Sequence, residues 1–257
     1  MRRDFDRLIT EAEGRPLAGW DFSWLGERMQ TEPLPWDFDA LVDGRARAAP
    51  DLLDLGTGGG EWLSSLPYRP PRTVATEAWP SNVAVAAARL APLGIDVVQV
   101  EPARENVEQA ARETSGRLPF PAEAFHLIVN RHESYVPAEI ARVLVPGGSF
   151  LTQQLAPGSD ELARLLDTAA PATSTFELDL AVRQLEAAGL EVTDCAEGRQ
   201  TVTFADVGAL AWYLRAIPWA LPRFDPDSFR DKLRKLHESD EPLQASLYGF
   251  WLEAVHH

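Results

Sequence analysis

Cysteine is nearly absent from this chain: Cys195 is the only one in 257 residues. A single thiol makes no internal disulfide and no cysteine-based zinc site. Its position after an amphipathic helix predicts a buried strand residue rather than a reactive one. Positive charge is also scarce, with 24 Lys and Arg against 39 Asp and Glu and a formal net charge of −15. A nucleic-acid surface needs clustered cations to displace phosphate counterions. The densest cationic run, Arg230, Lys232, Arg234 and Lys235, is interrupted by Asp231 and Leu233 and reads as a solvated helix face. The balance argues against nucleic acid as the partner and favours a small-molecule or cationic substrate. No run approaches the roughly 20 apolar residues that span a bilayer. The opening stretch, MRRDFDRLITEAEG, has no apolar core of the signal-peptide kind. A cytoplasmic protein without a membrane partner or a metal site is the resulting expectation, as a monomer or homodimer.

Hydrophobic residues at 45% and charged residues at 25% are ordinary for a globular chain, and the length suffices for one α/β domain with a large core. Residues 4–13 read as an amphipathic helix. The segment 19–42 is dense in aromatic residues, including Trp20, Trp24 and Trp36, and Pro33 and Pro35 break any long helix there. Short apolar strands are predicted at 51–55, 74–77, 95–100, 125–130 and 149–153, separated by helices at 82–90 and 138–144. Apolar strands alternating with helices argue for a parallel sheet covered on both faces. Beyond it, a helix over 179–188 ends at Gly189, and β-rich runs (EVTDC, QTVTF) follow. Two helices joined by a Pro- and Trp-rich elbow occupy about 205–240, and LYGFWLEAV reads as a closing strand. The whole is expected to be one domain: an N-terminal cap segment (1–48), a core (49–155) and a C-terminal half with a helical insertion (156–257).

The segment LLDLGTGGGEWL (52–63) carries the chemistry. An apolar strand runs through Asp54 into Gly56, Thr57, Gly58 and Gly60, a loop that turns sharply and lets a ligand approach the backbone. It opens a helix whose first N–H groups face the ligand. The dinucleotide fingerprint, G-x-G-x-x-G, would need glycine where this chain has Glu61, a poor neighbour for a pyrophosphate. An acid, Glu77, ends the next strand about 20 residues on, placed to accept hydrogen bonds from ribose hydroxyls.

With DLGTGGG, the strand-end acid in VATE, LPFPAEAFHLIVN and RVLVPGGSFLTQQ in this order, the chain resembles the class I S-adenosylmethionine (SAM)-dependent methyltransferases. The resemblance covers most of residues 50–155 and the final strand. It implies a Rossmann-like α/β sheet of seven strands, mostly parallel, with helices on both faces and the last strand antiparallel. The aromatic N-terminal segment and the helical insertion would form a cap. It further implies SAM as cofactor, giving S-adenosylhomocysteine. Gly56, Thr57, Gly58 and Gly60 would lie against its methionine part, with Asp54 orienting the loop. Glu77 would hold the ribose, Ala78 and Trp79 would lie beside the adenine, and Glu101 would stand at the adenine edge.

Ligands of open α/β sheets bind beyond the carboxyl ends of strands where strand order reverses. In this topology NRHESY (130–135) faces that crevice, bringing Asn130 and Arg131 to the cofactor. Methyl transfer needs alignment of nucleophile, methyl and sulfur, and a protonated nucleophile needs a base. His132 is the candidate base, Glu133 its orienter or a site for a cation, and Tyr135 a hydrogen-bond donor. An Arg131–Glu133 ion pair shaping the loop is the structural alternative. Gln153 and Gln154 offer further hydrogen bonds. Trp20, Phe22, Trp24, Trp36, Trp212, Tyr213, Trp219 and Phe224 form either a lid over the crevice, suited to a flat or apolar molecule, or the core of a helical cap, or a dimer contact. A methyltransferase acting on a small molecule is the main reading. A SAM-binding protein without turnover, an RNA methyltransferase and an NAD-dependent oxidoreductase are the alternatives.

Overall fold

The computed structural model describes residues 4–17, 22–108, 116–155, 159–169, 176–218 and 220–257. Trp20 and Trp219 lie outside them. The chain packs as two compact units, each assembled from three separate segments. The first comprises Met1–Pro35, Ala156–Ser174 and Gly198–Tyr248; the second comprises Trp36–Leu155, Thr175–Glu197 and Gly249–His257.

The second unit contains α2 (Phe38–Ala48), β2 (Asp51–Leu55), α3 (Glu61–Ser65), β3 (Arg72–Glu77), α4 (Pro80–Leu90), β4 (Asp96–Gln99), β5 (Phe125–Arg131), α5 (Pro137–Val143), β6 (Leu144–Leu155) and α7 (Leu178–Ala187). β2 is buried at every position, as a central parallel strand must be when helices cover both its faces. It pairs in parallel with β3 and with β5; β3 pairs with β4 and β5 with β6, also in parallel. β8 (Leu243–His256) returns antiparallel to β6, with Leu155 opposite Gly249 and Ser149 opposite Val255. Strand order therefore reverses between β2 and β5, and a crevice opens at their carboxyl ends. Phe38, Val42, Leu52, Leu63, Ala86 and Trp251 belong to one core cluster beneath it. α2 begins at Asp37, whose side chain accepts the Ala40 N–H at 3.0 Å, an N-cap of the usual kind.

The first unit contains α1 (Phe5–Gly14), β1 (Met29–Thr31), α6 (Ser159–Leu165), α8 (Val207–Ala216) and α9 (Arg230–Glu238). Asp4 caps α1, which buries Phe5, Leu8, Ile9 and Ala12. Asp206 caps α8 through Ala209 N–H at 2.9 Å and holds Arg28 at 2.6 Å. Gly208 lets α8 approach α1: a Cβ there would stand 2.7 Å from the Leu8 carbonyl oxygen. Gly208→Ala is expected to lower stability by about 1–3 kcal/mol through overpacking. Urea unfolding checks this, and an unchanged midpoint would mean that the two helices separate freely.

Sequence and structure differ in four places. With β7 at Leu190–Phe204, the sheet has eight strands among the described residues rather than seven, in the order β1–β7–β8–β6–β5–β2–β3–β4. The extra one, β1, is three residues paired antiparallel with Val202–Phe204 of β7. It owes its conformation to that partner and not to any apolar alternation of its own. The two β-rich runs are one 15-residue strand, β7. Cys195 is exposed, not buried, on a stretch of β7 where the side chains of residues 191–199 are exposed or half-buried. The cationic run of α9 is not merely solvated: Arg230 and Arg234 reach Asp6 at 2.6 and 3.2 Å and lie over the Phe5 ring. Among the expected cap aromatics, Phe22 and Trp24 pack on Trp212 at 5.6 and 5.5 Å between ring centroids. Trp212 and Tyr213 are buried in the core of the first unit.

Candidate active site

The glycine loop follows from β2. Gly56, Gly58 and Gly60 hold φ values of +73°, +62° and +79°, a region costly for residues with a Cβ. Gly56 is also a close approach, since a Cβ there would meet Glu133 Cγ at 2.3 Å. The N–H groups of Gly56 and Thr57 donate to the Thr76 carbonyl at 3.1 and 2.9 Å, pinning the loop to β3. At the end of β3, Glu77 is almost fully buried and its carboxylate gathers three backbone donors. Oε2 accepts from Gly58 N–H at 2.7 Å, and Oε1 from Ala78 and Trp79 N–H at 2.9 and 2.8 Å. Glu77 thus locks the glycine loop to the start of α4.

Two polar atoms in this buried cluster lack hydrogen-bond partners: Asp54 Oδ2 and Thr57 Oγ1. Burial of unpaired oxygen is costly and marks a place where a ligand can supply the partner. Burial pushes the Asp54 carboxyl up to about 7; the nearby Thr57 hydroxyl tempers the rise without a well-formed hydrogen bond, and the Glu77 charge adds to it. Glu133 is pushed up to about 7 by burial as well, against the Ser134 N–H that its Oε1 accepts at 3.1 Å, with the charge of Glu77 raising it further. Both carboxyls sit above their unfolded values near ~4. Their contribution to stability is full below pH ~4 and is lost as pH rises through about 7. Leu55, Gly56, Thr76, Ala78, Glu101 and Glu133 line a cavity of about 40 Å³ beside the loop.

On the other side of the strand reversal, NRHESY is held by a buried polar network. Asn130 Nδ2 donates to the Leu55 carbonyl at 3.3 Å, and its Oδ1 accepts from Thr152 Oγ1 at 2.9 Å and Gln154 Nε2 at 2.7 Å. Gln154 Nε2 also reaches the Glu133 carbonyl at 3.2 Å. Asn106 Oδ1 accepts the Tyr135 N–H at 3.1 Å, fixing the far end of the segment. His132 takes a φ of +63°, rare for a residue with a side chain. Its backbone N–H donates to the Gln153 carbonyl at 2.9 Å. Its ring Nε2 meets Gln153 Nε2 at 3.0 Å, and Gln153 Oε1 accepts from Trp36 Nε1 at 2.8 Å. Protein atoms crowding the ring, with the Arg131 charge second, hold the His132 pKa low, at about 3. Solvent still touches this residue and moderates that pull, so the downward direction is what the chemistry uses.

The structure brings Asp54, Gly56, Thr57, Gly58, Glu77, Ala78, Glu101 and Glu133 together at the loop. It places Asn130, Arg131 and His132 at the adjoining strand end. Gly60 starts α3, where Leu90 would meet its Cβ at 2.9 Å. Trp79 meets Glu77 through its backbone, while the residue is 62% exposed. Tyr135 is 2% exposed; its ring packs on Phe150 at 4.9 Å, and burial pushes its hydroxyl pKa up. Arg131 lies over Trp62 at 5.6 Å, and among the described residues it forms no ion pair with Glu133. The sequence reading offered Trp36 only as an aromatic of a lid or cap, and its hydrogen bond to Gln153 was not foreseen. Its only local signal was an aromatic residue beside proline, and its contact lies 117 positions away.

A methyltransferase-domain family model matches residues 53–152. None of the curated proteins matches the chain in sequence. Among solved structures, the YcgJ protein of Bacillus subtilis is 19% identical with a TM-score of 0.56, over 85% of this chain and 97% of its own. A putative methyltransferase of Bacillus halodurans is 17% identical with a TM-score of 0.57, over 84% and 97%. The cyclase SpnF is 18% identical with a TM-score of 0.51, over 98% and 92%, so the architecture also serves a protein named for another reaction. No helix among the described residues is long and apolar enough to cross a membrane. Residues 53–152 thus match a methyltransferase-domain family, within a Rossmann-like sheet whose strand order reverses at the glycine loop.

Proposed function

We propose that the second unit binds SAM on the glycine loop and that the protein transfers its methyl group to a small-molecule acceptor at the ends of β5 and β6. The observation that carries this reading is the pair of unpartnered buried oxygens, Asp54 Oδ2 and Thr57 Oγ1, beside three glycines held at positive φ. SAM brings an ammonium group and a sulfonium-activated methyl. A cationic ligand fits a cleft whose carboxyls, Asp54, Glu77 and Glu133, outnumber its guanidinium. Glu77 retains lone pairs for ribose hydroxyls after accepting its three N–H bonds. Ala78, Trp79 and Glu101 border the adenine side. Glu133 spans the two halves of the crevice, against Gly56 on one side and continuous with His132 on the other.

Parallel calorimetric titrations with SAM, S-adenosylhomocysteine and NAD test the reading. SAM and its product are expected to bind and NAD is not; binding of NAD alone, or of none, overturns it. The charge of SAM adds a pH signature. A bound cation favours the ionised forms of Asp54 and Glu133, lowering pKa values that start near 7. Protons are then released on binding, and SAM affinity is expected to rise roughly tenfold from pH 6 to 8. The neutral thioether of S-adenosylhomocysteine should show a shallower rise. Equal heats in buffers of different ionisation enthalpy at pH 7 would sink this linkage.

A further inference from the structure

The Trp36–Gln153–His132 chain decides the chemical form of His132. An indole N–H can only donate, so the Gln153 atom that it meets at 2.8 Å is the carbonyl oxygen. The amide's other end, Nε2, is then a donor and faces His132 Nε2 at 3.0 Å. That ring nitrogen must accept, which requires a neutral imidazole with its proton on Nδ1. Nε2 has no lone pair left for a substrate proton, and Nδ1–H has no partner among the described residues. The left-handed backbone at His132 holds this arrangement at a cost in backbone strain. Arg131 lies opposite Gln153 in the sheet register, so the two share a face, and the His132 ring reaches Gln153 on that face. The Arg131 guanidinium makes no ion pair among the described residues and is solvent-accessible, with the charges of Asp39 and Asp54 acting on it from beyond ion-pair distance. One face of the strand end thus offers a cation and an N–H donor side by side.

We infer that this face receives an anionic oxygen of the methyl acceptor, with Arg131 and His132 Nδ1–H as its binding groups and Trp36 and Gln153 as positioning residues that keep His132 a donor. The inference rests on the methyltransferase reading and narrows its substrate to carboxylates and acidic phenols or enols. The net charge of −15 favours cationic or neutral partners only at long range, and it is screened beyond about 8–10 Å. At contact the local groups decide. With an anionic acceptor no base is needed. The oxygen lone pair forms the bond to the methyl carbon, the carbon–sulfur pair returns to sulfur, both charges vanish and no proton is released. The charged group acting on the His132 ring is Arg131; β6 presents neutral Gln153, and the residue leading into α2 is neutral Trp36.

Nitrogen-15 NMR of histidine-labelled full-length protein tests the relay without cofactor or substrate. His132 is expected as the Nδ1–H tautomer, unchanged from pH 5 to 8. An Nε2–H tautomer, or titration near 6.5, overturns it. Gln153→Glu places a carboxylate beside Nε2 and is expected to bring His132 into the titrating range. Trp36→Phe frees the amide to turn and is expected to mix the tautomers. A His132 signal indifferent to both variants also overturns the relay. For the anion site, sodium benzoate and benzylamine hydrochloride are added at matched ionic strength to SAM-saturated protein. Benzoate should shift His132 and benzylamine should not, and Arg131→Gln should weaken the benzoate response about tenfold. A preference for benzylamine, or no benzoate response, overturns the site. If Arg131→Gln instead weakens SAM binding and benzoate acts only without SAM, the anion is the cofactor's own carboxylate and the acceptor assignment falls. Failure of SAM to bind at all would remove the methyltransferase reading while leaving the tautomer result standing.

Discussion

Gly56→Ala is expected to abolish measurable SAM binding, with a loss of at least about a hundredfold. Two independent penalties meet at this position. Alanine at a φ of +73° pays roughly 1–2 kcal/mol for the left-handed backbone. The added Cβ also falls 2.3 Å from Glu133 Cγ and 2.5 Å from its Cβ. A Cβ cannot be swung away by side-chain rotation, so the backbone at 56 or at 133 must move, at a further ~1–3 kcal/mol. Either movement displaces the loop from Thr76, which anchors it through two N–H bonds. Calorimetry with SAM measures the loss, and a thermal melt separates it from global unfolding. Combining the substitution with Glu133→Gly removes the steric part and should recover some affinity. A Gly56→Ala protein that binds SAM within a few-fold of the parent would take the loop out of the cofactor site.

Glu77→Ala is expected to cost both binding and stability, each by about 3 kcal/mol or more. The carboxylate serves three N–H groups at 2.7–2.9 Å, and a hydrogen bond to a charged group contributes about 1.5–3 kcal/mol. Alanine strands the buried Gly58 N–H and removes the acceptor of the part-buried Ala78 and Trp79 N–H groups. The loop and the start of α4 then lose their common anchor, and the cofactor loses its candidate ribose acceptor. Glu77→Gln separates the roles. Its single oxygen serves either Gly58 or the Ala78–Trp79 pair, and its NH₂ group faces donors on the other side, so an intermediate loss is expected. Urea unfolding reads the structural share and SAM titration the functional one. If stability falls while SAM affinity holds, Glu77 is a brace for the loop and nothing more.

Much of this was legible in the sequence because the second unit is built from local signals. β2 was read at its observed bounds, 51–55, since three leucines in five residues run straight into a glycine loop. The glycine loop, Glu77 and the strand-end segment from Asn130 follow from position alone once the parallel order is known. What stayed hidden depends on partners distant in sequence. β1 has no pattern of its own and exists through β7. α2 was obscured by the aromatic and proline density before it, although Asp37 capping at position 38 was a usable signal. A histidine after an apolar strand suggests a base, and its contact with Gln153, itself held by Trp36, leaves no trace in the sequence.

The segment Gly249–Val255 has a consequence for how the protein is made. It pairs with β6 along Ser149–Leu155, yet it is synthesised long after β6, with α6, α7, β7, α8 and α9 in between. Until it arrives, β6 is an open sheet edge whose Thr152, Gln153 and Gln154 carry the network that shapes the strand end at His132. An emerging chain therefore exposes a pairing edge for an extended time, the situation in which strands find partners on other chains. Completion of the sheet is a late, long-range event, and it is also the event that finishes the candidate site at this strand end.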